Sequence, residues 1–103
     1  MADSDDLRQI AMALEGTSEA PHFDRRAFKV KRIYATLAAD GRSANLNLTP
    51  DEQALKCMVT PEIFQAIDNG WGRQGWTVMW LAPATVEDVR AALEMAHAHG
   101  VKR

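Results

Sequence analysis

Ile33-Tyr34-Ala35-Thr36-Leu37-Ala38-Ala39-Asp40-Gly41-Arg42-Ser43-Ala44-Asn45-Leu46-Asn47-Leu48 is the stretch that decides the fold. Asp-Gly between two alternating runs is a strong signal for a hairpin with a two-residue type I′ turn. Such a turn closes on Ala39 and Arg42. It pairs Leu37 with Ala44, Ala35 with Leu46 and Ile33 with Leu48, and each of these pairs is apolar. The same register sets Tyr34 opposite Asn47 and Thr36 opposite Asn45 on the other face. A slip of one residue would mix the two sets, so the pattern itself specifies the register.

Upstream, Phe28 and Val30 extend the apolar set if the chain turns at Lys31-Arg32. That turn lacks glycine and asparagine, so a bulge or a longer loop is expected. The sheet then has two unlike faces. Phe28, Val30, Ile33, Ala35, Leu37, Ala44, Leu46 and Leu48 require a cover of helices. Lys29, Tyr34, Thr36, Ser43, Asn45 and Asn47 form a face that an antiparallel sheet can leave in water.

The helices are legible on either side. Leu7, Ile10, Ala11 and Leu14 make one buried stripe in a helix from about Asp3 to Glu15, stopped by Gly16. Thr49-Pro50-Asp51-Glu52 reads as a capping box with proline at the first helical position, and Leu55, Met58 and Val59 are expected to face inward. Thr60-Pro61-Glu62 repeats the signal for a short helix that buries Ile63, Phe64 and Ile67. Trp76-Thr77-Val78-Met79-Trp80-Leu81 is an interior strand, apolar on both sides. Thr85 caps a last helix with Val86, Val89, Leu93 and Ala96 inward, ended by Gly100. The expected class is α+β: one domain over 1–103, an antiparallel sheet with helices on one face.

Composition narrows the function. Of the 103 residues, 47% are hydrophobic and 25% charged, as in ordinary soluble domains. A single cysteine, Cys57, forbids an intrachain disulfide and fits a reducing cytoplasm. No apolar run is long enough to span a membrane. The acidic start, Met1-Ala2-Asp3-Ser4-Asp5-Asp6, argues against a secretory signal peptide. A net charge of −2 argues against a general polyanion binder. Yet residues 1–19 carry five acids against one base, and residues 22–48 carry six bases against two acids. The middle of the chain can therefore present a basic face.

Signals for catalysis are weak. There is no phosphate-binding loop, dinucleotide fingerprint or cysteine cluster, so neither a cofactor nor a metal is expected. His97 and His99 are two apart on a helix and diverge, whereas helical zinc ligands need a spacing of three or four. Cys57 in a core-supplying helix reads first as a small buried hydrophobe and only second as a nucleophile. His22 and Asp24 have no nucleophile motif beside them.

Binding signals are stronger. Arg25-Arg26-Ala27-Phe28-Lys29-Val30-Lys31-Arg32 has five bases in eight residues. Lys29 and Lys31 can contact phosphates, or can guard an edge strand against aggregation. Gly70-Trp71-Gly72-Arg73-Gln74-Gly75-Trp76 is a run that neither a helix nor a plain strand would choose. Its tryptophans can stack bases or pack into the core. Trp71 is the better candidate for exposure, and Trp80 for the core. Arg73 can bind an anion or lie over apolar surface, and with Trp71 can cover a pocket that contains His22.

His22-Phe23, Arg26-Ala27-Phe28-Lys29-Val30, Ala44-Asn45-Leu46 and Gly70-Trp71-Gly72-Arg73-Gln74-Gly75-Trp76-Thr77 together resemble the MmcQ/YjbR family. The resemblance runs from the first helix to the last. It implies a small bacterial cytoplasmic protein with a two-layer α+β fold, like secretion chaperones and the CyaY-like arrangement. It also implies a DNA-binding role through a double-wing motif, without enzymatic activity. Arg26, Lys29, Arg73 and Trp76 match motif positions. Asn47 departs, because many relatives carry lysine there. The expected site joins Arg26, Lys29, Asn45, Trp71, Arg73 and Trp76, with His22, Lys31 and Asn47 as further members. Lys29, Asn45 and Arg73 should share one contiguous surface. The expected partner is DNA, bound weakly. A protein or peptide, or a small anion, on the same surface is the alternative.

Overall fold

Three helices begin with the same device. Asp3 with Asp6, Thr49 with Glu52, and Thr85 with Asp88 each form a reciprocal capping box. Each box satisfies two backbone donors that a helix start would otherwise leave open, and such caps are typically worth about 1 kcal/mol. In the computed structural model, which describes residues 1–102, these boxes open α1 (Ser4–Ala13), α2 (Pro50–Val59) and α4 (Val86–Val101). A single helical turn, α3, spans Gly70–Arg73. The strands are β1 (Ser18–His22), β2 (Arg25–Lys29), β3 (Ile33–Leu37), β4 (Ser43–Asn47), β5 (Phe64–Ala66) and β6 (Trp76–Trp80).

All strands form one antiparallel sheet in the order β1-β2-β3-β4-β6-β5. Ala35 pairs with Leu46, Thr36 with Asn45 and Leu37 with Ala44, the register the sequence specifies. The turn differs from expectation. Gly41 alone has positive φ (73°), whereas a type I′ turn needs it at Asp40 too. The Gly41 N–H donates to the Ala38 carbonyl and the Ala38 N–H to that of Ser43, both at 2.9 Å, which makes a four-residue loop. The Asp40 carboxylate accepts from the Arg42 N–H at 2.9 Å and closes the loop locally.

Phe28, Ala35, Leu37, Ala44, Leu46, Leu48, Met79 and Leu81 are buried together with Leu7 and Ala11 of α1 and Val89, Leu93 and Ala96 of α4. The helices therefore cover the expected face. Tyr34 does not lie on the other one. The β2–β3 register shifts between Phe28↔Ala35 and Lys29↔Ile33, so Tyr34 is the extra residue of a bulge. It turns under the helices and is fully buried. Its hydroxyl lies 2.9 Å from the Thr17 hydroxyl and donates to the Ala11 carbonyl at 3.3 Å. Its ring meets His97 edge-on, with centroids 5.4 Å apart. Gly100, the expected helix stop, lies inside α4 and is buried against Tyr34.

Four further expectations are corrected. The basic strand β2 is not an edge, because β1 lies outside it. The true edges are β1, in which Pro21 lacks a donor, and the three-residue β5; both are ordinary protections of an open sheet. Thr60-Pro61-Glu62 starts only one turn, after which Phe64 joins β6 as a buried strand residue. Leu55, Met58 and Val59 do not face inward. Each is more than half exposed, because α2 sits beside β5 rather than across the sheet. Trp80 is 40% exposed, and its indole N–H donates to Gln65 Oε1 at 3.1 Å instead of entering the core.

Candidate functional site

Strand pairing assigns the uncovered face. His22 pairs with Arg25, Thr36 with Asn45 and Asn45 with Val78, and each pair shares one side of the pleat. A groove of about 340 Å³ crosses this side, lined by His22, Phe23, Arg25, Thr36, Asn45, Ile67, Asn69, Trp71 and Trp76. The floor is polar and the two ends are aromatic.

One end is the β1–β2 turn. Phe23 sits there with φ of 58°, a conformation that favours glycine, and its ring is 94% exposed. His22 meets that ring edge-on at 4.8 Å. The other end is α3. Asn69 Oδ1 caps it by accepting from the N–H groups of Trp71 (2.9 Å) and Gly72 (3.2 Å). The glycines of this motif serve close approach. A Cβ on Gly72 would lie 1.5 Å from the Ile67 carbonyl oxygen, and one on Gly75 would lie 1.9 Å from that of Leu48. Gln53 of α2 locks the segment from below, donating at 2.9 Å to the carbonyls of both Gly72 and Trp76. Thus the backbone is held tightly while Trp71 projects, 62% exposed. Trp76 is half-buried beside it.

Arg25 forms the charged part of the floor. Its Nε donates to the Thr36 hydroxyl at 2.8 Å and its Nη2 to the Thr36 carbonyl at 3.2 Å. These bonds fix the guanidinium. Among the described residues it has no carboxylate partner, and its Nη1 donors and the Asn45 amide make no hydrogen bond to protein.

The expected site residues divide. His22, Asn45, Trp71 and Trp76 come together in the groove. Arg26 alternates to the helix-covered side, where its Nε pairs with Glu19 at 2.9 Å. Arg8 of α1 holds the other oxygen of Glu19 at 2.7 Å. Burial alone would raise the Glu19 pKa, but the hydrogen bonds and charges of Arg26 and Arg8 outweigh it and hold the carboxyl below its ordinary value. Lys29 is exposed at the far end of β2 from Arg25. Three strand steps separate β2 from β6, about 14 Å at the usual spacing. The groove bridges that distance from Arg25 at one end of β2, and Lys29, at the other end, does not line it. Arg73 is exposed on α3, and Lys31 is exposed beyond β2; neither lines the groove. Asn47 is buried, and its carbonyl meets His99 Nδ1 at 3.0 Å. Sequence reading missed Phe23 and Arg25 as site residues. Their signal was the His22-to-Arg25 spacing, which suits a two-residue hairpin turn.

His97 and His99 diverge as expected, His97 Nε2 meeting the Glu15 carbonyl at 2.7 Å. Among the described residues no cluster of histidine, cysteine and acids could hold a metal. Burial pushes the Cys57 thiol pKa up, the opposite of what a nucleophile needs. No helix is long and apolar enough to cross a membrane.

No family model matches the chain, and no curated protein matches its sequence. Its structure is similar to the crystal structure of Deinococcus radiodurans protein DR2400, which carries the domain DUF419. The match covers 100% of this chain and 81% of that one at 20% identity, with a TM-score of 0.83. DUF419 is the MmcQ/YjbR type of domain, so the α+β architecture expected from the sequence is the architecture found in that neighbour.

Proposed function

We propose that this protein is a non-enzymatic, cytoplasmic member of the MmcQ/YjbR type that binds single-stranded nucleic acid weakly through the open face of its sheet. The observation that carries this reading is the groove with an exposed aromatic side chain at each end and, on its floor, a guanidinium with no carboxylate partner among the described residues. Bases stack on exposed aromatic rings without sequence preference, and each stack contributes about 1–3 kcal/mol. A duplex hides those faces and offers mainly phosphates. This chain answers phosphates poorly: its net charge is −2 and Arg26 is committed to Glu19.

Salt dependence tests the reading. With one or two phosphate contacts, the log–log slope for a single strand should be about −0.7 to −1.4. An oligothymidine titrated at several salt concentrations, with intrinsic tryptophan fluorescence as the readout, should give that slope and bind more tightly than a duplex of equal length. Trp71→Ala should weaken single-strand binding by about fivefold or more, the lower end of one lost stack. No binding of either form at low salt would reject the reading. The same aromatic ends would then serve a protein or peptide partner, a reading that the acidic net charge favours.

A further inference from the structure

We infer that the groove is built for one nucleoside monophosphate unit, its base against Trp71 and its phosphate on Arg25 beside Phe23, whether that unit is free or at the end of a strand. This rests on the single-strand reading above and sharpens it. Three observations carry it. The groove is about 340 Å³, near the small end of the roughly 300–1,000 Å³ typical of small-molecule sites. Among the described residues Arg25 is the one lysine or arginine that lines it, so it offers one anion site rather than a track. That cation is preorganised: Thr36 takes two of its donors and leaves the Nη1 edge open. A planar guanidinium held this way suits an oxyanion. Asn45, with a free donor and a free acceptor on the strand between Arg25 and the Trp71 end, can meet the edge of a base.

The remaining surface offers no equal. A larger groove lies by Met1, Asp3, Arg42, Glu62, Trp80 and Pro83, but its charged side chains are of mixed sign, and the one the fold holds in place, Asp3, is spent on capping α1. The exposed apolar stripe of α2 has nothing beside it that says what covers it.

The experiment uses the full chain and follows tryptophan fluorescence and amide NMR shifts. The probes are AMP, adenosine, inorganic phosphate, and oligodeoxyadenosine of ten residues with a 5′-phosphate or a 5′-hydroxyl. AMP is expected to bind at least tenfold more tightly than adenosine or phosphate, and to displace the phosphorylated oligomer. Shifts should centre on residues 22–25, 45 and 69–76. A phosphorylated oligomer tighter than AMP identifies a strand end, and AMP equal or tighter identifies a free nucleotide; either supports the inference. Arg25→Lys should lose the advantage of AMP over adenosine. Trp71→Ala, at an exposed side chain, should weaken both nucleoside and nucleotide while leaving the melting temperature within a few degrees. If the oligomers bind but AMP neither binds nor displaces them, or if adenosine equals AMP, the inference falls and the single-strand reading stands. If no probe binds, both fall.

Discussion

Phe23 is the residue whose chemistry and conformation disagree most. A non-glycine residue with φ of 58° is strained, and an aromatic ring that is 94% exposed gains nothing from the core. Strain kept without a folding benefit is expected where a side chain meets a ligand. Phe23→Gly should therefore stabilise the fold by on the order of 1 kcal/mol, or about 4–8 °C in a domain of this size. The same change should weaken nucleotide binding. Calorimetry beside a binding titration checks this, and a fall in melting temperature would show that the ring supports the fold instead. Glu19 makes a different case. Its side chain is 9% exposed, but its partners Arg8 and Arg26 are 60% and 51% exposed, so solvent screens the pair energies. Its folded pKa lies below the ordinary 4.5. The ion triad thus stabilises the fold above that value, and the contribution disappears as pH falls through the folded pKa. Wild type and Glu19→Gln should differ by about 1 kcal/mol at neutral pH and converge in acid; urea melts across pH 2–7 would show it. A gap that persists at the acid end would assign the effect to packing.

Among the elements, those with strong period and strong caps were legible, and those set by neighbours were not. The β3–β4 register followed from alternation alone, and α1, α2 and α4 from their capping boxes. β1 was not legible: Ser-Glu-Ala-Pro-His has no alternation, and it becomes a strand only because β2 is there to pair with it. β5 was misread for a related reason. Its proline start resembles a helix start, yet pairing with β6 outweighs that local preference. Inward stripes were also misjudged where a helix covers little sheet, as Leu55, Met58 and Val59 of α2 show. The α3 segment was seen as special but not as a helical turn. Its glycines can be told apart by substitution. Gly75→Ala puts a Cβ 1.9 Å from the Leu48 oxygen at a φ of 115°, and should cost about 3 kcal/mol or more. Gly70→Ala meets only the end of the Arg73 side chain at 3.7 Å, and should be near neutral or slightly stabilising. Urea denaturation of both variants separates them; equal losses would contradict the close approach described here.

Over the whole molecule, the charge imbalance between the first and middle segments meets in one internal contact. Arg26 of the basic middle meets Glu19 of the acidic first segment, so part of the basic face is neutralised by the fold. Alternation still delivered Asn45, and composition delivered Trp71, to the groove. What the sequence could not supply was the strand order and which end of β2 meets the groove: Arg25 lines it with Trp71, and Lys29 lies at the other end. The attachment of α2 has a kinetic consequence. This helix buries none of its residues, and Gln53 links it by side chain to the Gly72 carbonyl of α3 and the Trp76 carbonyl at the start of β6. A helix with so little apolar anchorage should open locally well before the sheet unfolds. Each opening withdraws the Gln53 amide and frees the turn that carries Trp71. Amide protons of residues 53–59 and 73–75 should then exchange with deuterium at a common rate, faster than those of β3 and β4. Gln53→Ala should accelerate the second group without changing global stability by more than about 1 kcal/mol. The stacking platform and α2 would thus open as one cooperative unit, and ligand held on Trp71 would slow exchange in a helix it never touches.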